Sequence, residues 1–133
     1  MTLNELRDKA YKNGVEKGFH EKPCDLATTL MLIVSELSEA MEADRNGRWV
    51  SNVIATYDDI SKKCLIAPRD IEPEIISTRQ YENLIKGRVE EEIADAFIRL
   101  FDLAGIYNID LDWHVVAKMA YNEKRSYKHG KKY

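Results

Sequence analysis

The stretch LATTLMLIVSELSEAMEADR, residues 26–45, constrains the fold more than any other part of the chain. Apolar residues recur in it at helical spacing on almost every side. At about 100° per residue, Leu30, Ile33, Val34, Leu37 and Met41 form one stripe, and Leu32, Ala40 and Ala43 flank Glu36 and Glu39. Only Ser35, Ser38 and Glu42 make a plainly polar arc. A helix that is apolar around most of its circumference is buried on more than one side. The segment is therefore expected to lie inside a helical bundle, with Glu36 and Glu39 facing protein or a cleft.

The same period runs through most of the chain. Helix one is expected over residues 2–17, ending near Gly18, with Asp25 as a candidate N-cap for helix two over 26–45. Helix two stops at Gly47. Helix three covers 81–107, Asp110 caps helix four over 111–126, and Gly130 breaks the tail. Residues 48–80 carry two prolines and no clean period. They read as an irregular insertion between helices two and three, with a short helix or turn near 52–62. A loop of that length in a compact domain is usually functional or mobile. The expected fold is all-α: one domain over 1–133, a bundle of four main helices with an insertion at 48–80.

Charge and cysteine usage narrow the function classes. The 133 residues carry a formal net charge of −3, which gives no basis for binding nucleic acid through bulk charge. The N-terminus mixes acids and bases without an apolar targeting core, and no run reaches the length of a membrane span. The two cysteines, Cys24 and Cys64, are far apart and not in metal-type spacing. That argues for a reducing, cytoplasmic setting.

Helix three repeats the carboxylate pattern of helix two. Val89, Ile93, Ala96, Leu100, Leu103 and Ala104 form its core stripe, and Glu92 and Asp95 lie three apart on one edge of it. Residues three apart are neighbours on a helix, so two packed helices of this kind bring four carboxylates together. Glu90 and Glu91 read as surface charge, and Asp95 with Arg99 is also a possible i,i+4 ion pair. Two carboxylates about 5 Å apart repel by roughly 3 kcal/mol at an effective dielectric near 20, so four together call for a cation. Oxygen ligands without Cys or His suit Mg²⁺, Mn²⁺ or Ca²⁺.

Helix four supplies a complementary face. Lys118, Asn122 and Arg125 fall in one arc, with Tyr121 and His114 beside it, while Trp113, Val115, Val116, Met119 and Ala120 are available for packing. Lys124, Lys128, Lys131 and Lys132 add charge to the tail. Lysine, a guanidinium fork and an amide are the donors a polyphosphate needs. The plainer alternative is a solvated basic face near a helix C-terminus.

Taken together, SELSE, EEIAD and the segment KMAYNEKRSYKHGKKY resemble the MazG-like nucleoside triphosphate pyrophosphohydrolases of the all-α NTP pyrophosphatase superfamily. GFHEKPCDLA is similar to the FHxPxNLA segment of the dCTP pyrophosphatase branch, with one extra residue between His20 and Pro23. The resemblance implies a helical bundle assembled as a homodimer or homotetramer. It implies Mg²⁺, or Mn²⁺, on Glu36, Glu39, Glu92 and Asp95, and phosphates near Lys118, Asn122 and Arg125. It also implies hydrolysis between the α and β phosphates. Glu39 is the expected general base, and Trp49, Phe19, His20 and Tyr121 are candidates for contacting the base, with ordinary packing as the alternative for each. An oxidative di-metal bundle would place a Glu-x-x-His pair on its helices, and neither pair here contains histidine. The remaining alternative is a non-catalytic bundle that binds a nucleotide or a protein partner.

Overall fold

The computed structural model describes residues 1–22, 25–50 and 78–126. Among the described residues the elements are five helices: α1 (Leu3–Glu16), α2 (Leu26–Arg45), α3 (Thr78–Leu84), α4 (Val89–Ile106) and α5 (Leu111–Glu123). No strand occurs among the described residues, and none of their helices is long and apolar enough to cross a membrane. The expected turn near 52–62, Cys24, Cys64, Gly130 and the lysines at 128, 131 and 132 lie outside the described residues.

Caps explain where the helices begin and end. Thr2 opens α1 with a capping box: its hydroxyl accepts from the Glu5 N–H, and the Glu5 carboxylate accepts from the Thr2 N–H. α1, α2 and α4 share one C-terminal device, in which a left-handed residue turns two N–H groups back onto the last carbonyls. At Gly18 (φ 80°) these bonds run to Val15 and Gly14, and at Gly47 (φ 63°) to Asp44 and Ala43. At Asn108 (φ 49°) they run to Gly105 and Ala104. The single helix expected over 81–107 is two: Gly87 (φ 70°) separates α3 from α4, because a left-handed residue cannot continue the helix. α3 also starts inside the expected insertion, and the last helix ends at Glu123 rather than 126.

The chain divides into two compact units, Met1–Leu26 with Ile98–Tyr133, and Ala27–Phe97. In the first, α1 and α5 cap one another. The Asp112 carboxylate accepts from the Leu3 N–H (2.9 Å) and the Asn4 N–H (3.3 Å). The Asn4 amide oxygen accepts from the Leu111 N–H (2.9 Å), and its nitrogen donates to Asp110 (2.9 Å). Asp110 accepts from the Trp113 N–H as the N-cap of α5. Elsewhere in this unit α1 meets α4 at a glycine: a Cβ on Gly105 would sit 2.5 Å from the Tyr11 Cβ.

The Asn4 amide, then the Trp113 N–H, hold the Asp110 carboxyl below its ordinary value of 3.8. A depressed folded pKa means stability that is full above the unfolded value and is lost as pH falls through the folded one. Asp110→Ala is therefore expected to melt lower at neutral pH and to show a smaller further loss between pH 4 and 2 than wild type. Thermal melts across that range check it.

In the second unit the interior is made by Ile33, Glu36, Ala40 and Ala43 of α2, Val50, and Val89, Glu92 and Ala96 of α4. The stripe expected to be buried on α2 is not the buried one. Of Leu30, Ile33, Val34, Leu37 and Met41, only Ile33 is inside. The helix instead turns inward the row Ile33, Glu36, Ala40, Ala43, whose two alanines permit close approach. On α4, Ile93 and Leu100 of the expected core stripe are also exposed, while Val89, Ala96, Leu103 and Ala104 are buried. On α5, Trp113, Val115, Val116, Met119 and Ala120, expected to be available for packing, are exposed as well, and no residue of that helix is fully buried.

Candidate metal centre

α2 and α4 bring carboxylates together within the second unit. One oxygen from each of Glu36, Glu39 and Glu92 lies within 4.8 Å of the others. Glu36 and Glu92 are buried and Glu39 is exposed, so the group has two inner members and one at its rim. A second trio, Glu91, Glu92 and Asp95, meets the same 4.8 Å limit. Glu92 belongs to both. Of the four expected ligands, three converge directly, and Asp95 joins them through Glu92.

The start of α4 explains why Glu92 is held there. Glu90, Glu91 and Glu92 occupy its first turn, where the helix dipole favours negative charge. Glu90 and Glu91 are not the surface charges their sequence context suggests. Glu90 accepts from the Val50 N–H at 2.9 Å, and the Arg48 carbonyl accepts from the Val89 N–H at 3.1 Å, which ties the end of α2 to the start of α4. Glu91 accepts from the Gly87 N–H at 2.6 Å and from the Tyr81 hydroxyl at 3.3 Å. The break at Gly87 thus supplies a backbone donor and α3 supplies a phenol. Nothing in local periodicity marks either contact; a glycine three residues before the EEE run, and four before Glu91, is the one hint.

Electrostatics at the cluster are those of crowded anions. Burial, then the carboxylates of Glu91, Glu39, Asp95 and Glu36, push the Glu92 carboxyl above its usual value of 4.5. Burial, then Glu91, push the Tyr81 hydroxyl up to about 12, so it stays a donor at neutral pH. A divalent cation reverses the sign of the local field and relieves this repulsion. All donors in the group are carboxylate oxygens, the ligand set of a hard cation such as Mg²⁺.

The first unit holds the remaining candidates. On α5, Lys118 Nζ lies 4.8 Å from the Tyr121 ring centroid and the Arg125 guanidinium carbon 5.9 Å from it. Both cations and the ring are exposed, so two positive charges lie within cation–π distance of one aromatic ring. The Asn122 Oδ1 is buried and has no hydrogen-bond partner. His20 shares a 2.9 Å hydrogen bond with Asp102 and meets the Tyr11 ring edge-on at 5.1 Å. A Cβ on Gly14 would lie 2.6 Å from His20 Nε2 and 2.9 Å from Asp102 Oδ1, so the pair is seated in a gap that only glycine leaves. Asp102 was not foreseen from sequence; an acid between Phe101 and Leu103 was the available signal.

Comparison with family models, with curated proteins and with solved structures finds no match for this chain.

Proposed function

We propose that the chain is a Mg²⁺-dependent nucleoside triphosphate pyrophosphohydrolase. It would cleave the α–β phosphate bond of NTPs or dNTPs to give a nucleoside monophosphate and pyrophosphate. The observation that carries this reading is the convergence of Glu36, Glu39 and Glu92 from two helices, with two of the three buried. Burying carboxylates against one another is costly without a counter-charge. The sequence resemblance supplies the reaction.

In this reading Glu36, Glu39, Glu92 and Asp95 hold Mg²⁺, with Mn²⁺ as a substitute. A bound divalent ion supplies Lewis acidity and a water of lowered pKa. Glu39, the exposed member, is placed to exchange protons with solvent, which suits a general base. It would accept a proton from the attacking water, whose oxygen would bond to the α-phosphorus as the bond to the bridging oxygen breaks and pyrophosphate leaves. The resemblance assigns Lys118, Asn122 and Arg125 to the phosphates, and His20 and Tyr121 are the candidates for contacting the base. The protein works in the cytoplasm as a homodimer or homotetramer, with neither nucleic acid nor membrane as partner.

A panel of NTPs and dNTPs, assayed with Mg²⁺ and with EDTA, tests the reading. Release of pyrophosphate with the matching monophosphate is expected only with Mg²⁺. Orthophosphate would mean that a different bond is cut. Nucleotide binding without any product would replace the enzyme with a non-catalytic nucleotide-binding bundle.

A further inference from the structure

Away from the carboxylate cluster, the first unit holds a pairing of titratable side chains that the resemblance leaves unassigned. The turn at Gly18 brings the chain back over α1, and the Phe19 N–H donates to the Gly14 carbonyl at 3.0 Å. His20 then lies on that glycine, where a Cβ would stand 2.6 Å from its Nε2 and 2.9 Å from Asp102 Oδ1. Nε2 and Oδ1 are 2.9 Å apart, and the two side chains are only 20% and 25% exposed. Tyr11 meets the imidazole edge-on at 5.1 Å, so Gly14, Asp102 and Tyr11 all bear on one ring. A carboxylate only accepts hydrogen bonds, so the shared hydrogen sits on Nε2. The other ring nitrogen, Nδ1, has no partner among the described residues and is not a buried atom.

We propose that Asp102 is a positioning residue: it fixes His20 in the tautomer whose Nδ1 accepts a hydrogen bond, and so makes His20 select bases that present an N–H. This rests on the reading above, in which His20 contacts the base of a nucleoside triphosphate. The bond made by one ring nitrogen decides what the other offers, and a carboxylate behind the ring makes the imidazole a better acceptor. A bare Nδ1 facing an amino group forms a hydrogen bond. Facing a carbonyl, it sets two acceptors against each other with no hydrogen between them. Cytosine and adenine carry an amino group where uracil and hypoxanthine carry a carbonyl. The pair is therefore arranged to favour the amino member. Helical period gives no sign of Asp102 in this role; the 2.9 Å contact does.

Calorimetric binding of α,β-methylene nucleotides in Mg²⁺ tests it. Their α–β link resists hydrolysis, so turnover plays no part. Wild type is expected to prefer the cytidine analogue over the uridine one, or the adenosine analogue over the inosine one, by about tenfold or more, the scale of a polar group left unpaired. Asp102→Asn keeps the shape and is expected to remove most of that preference, with helicity by circular dichroism unchanged. His20→Ala should remove it too. Adding Asp102→Asn to His20→Ala should change nothing further, because Asp102 acts through the ring. If Asp102→Asn fails to fold, Gly14→Ala takes its place: its Cβ displaces the pair and must flatten the preference. A wild type that binds both members of each pair equally, or prefers the carbonyl member, overturns the proposal. So does an Asp102→Asn chain that keeps the preference, or that weakens both members alike, as a merely structural Asp102 would. Binding without an amino preference leaves the pyrophosphohydrolase reading standing, whereas no binding of any analogue removes both.

Discussion

Glu92→Gln is expected to lower Mg²⁺-dependent pyrophosphate release by about a hundredfold or more, because even residues that only support metal ligands typically cost 10–100-fold. Its effect on stability has the opposite sign. The folded protein holds the Glu92 proton more tightly than the unfolded chain does. Without a cation, stability is then greatest below the ordinary value of 4.5 and falls as pH rises through the raised folded value. Glutamine keeps the shape and removes the charge. At neutral pH in EDTA the variant should melt above wild type and lose most of that pH dependence. Added Mg²⁺ should raise the wild-type melting temperature and leave the variant nearly unmoved, since a ligand stabilises only the state that binds it. A merely structural Glu92 would not give this pairing of lost activity with gained stability. Glu39→Ala and Asp95→Ala should abolish turnover with the helical fold intact. A fully active Asp95→Ala enzyme, or equal Mg²⁺ shifts in wild type and Glu92→Gln, would sink the metal assignment.

The second large effect reverses a rule of thumb. Replacing a mid-helix glycine by alanine usually gains about 1 kcal/mol. Gly105 lies within α4, yet Gly105→Ala is expected to cost about 2 kcal/mol, in the range for overpacked interiors. The added Cβ would stand 2.5 Å from the Tyr11 Cβ and 3.0 Å from its Cγ. Those atoms sit next to the α1 backbone and cannot swing aside as the end of a long side chain would. The urea midpoint should fall with an unchanged slope. A variant as stable as wild type would mean that α1 can retreat without loss.

How far the sequence was legible depends on whether the information was local. The ends of α1 and α2 and the Asp110 cap were readable because capping residues act within one turn of themselves. The break at Gly87 was missed because one glycine in a periodic run is compatible with a continuous helix. Periodicity also identified two faces on α2 without ranking them. The larger stripe, Leu30 to Met41, looked like the inner one, but burial went to the row with Ala40 and Ala43, where close approach is possible. Glu36 and Glu92 could be proposed as partners because each recurs beside an apolar edge. The contacts of Glu90 with Val50, of Glu91 with Tyr81 and of Asp102 with His20 depend on chain that arrives from outside the local turn, and no local pattern encodes them.

The reciprocal capping of α1 and α5 bears on how the protein is made. Its bonds join Leu3 and Asn4 to Asp110, Leu111 and Asp112, across sequence separations of 106 to 109 residues. The unit they close is discontinuous, whereas Ala27–Phe97 is one contiguous run. On a ribosome that run is complete while the C-terminal helix is still untranslated. The carboxylate-bearing half can thus assemble first, while the Leu3 and Asn4 amides of α1 wait for Asp112. Contacts of such long range are slow to form because the loop-closure entropy comes before the reward. Closing α1 against α5 therefore has to wait for α5 to be made, whereas the contacts within Ala27–Phe97 do not.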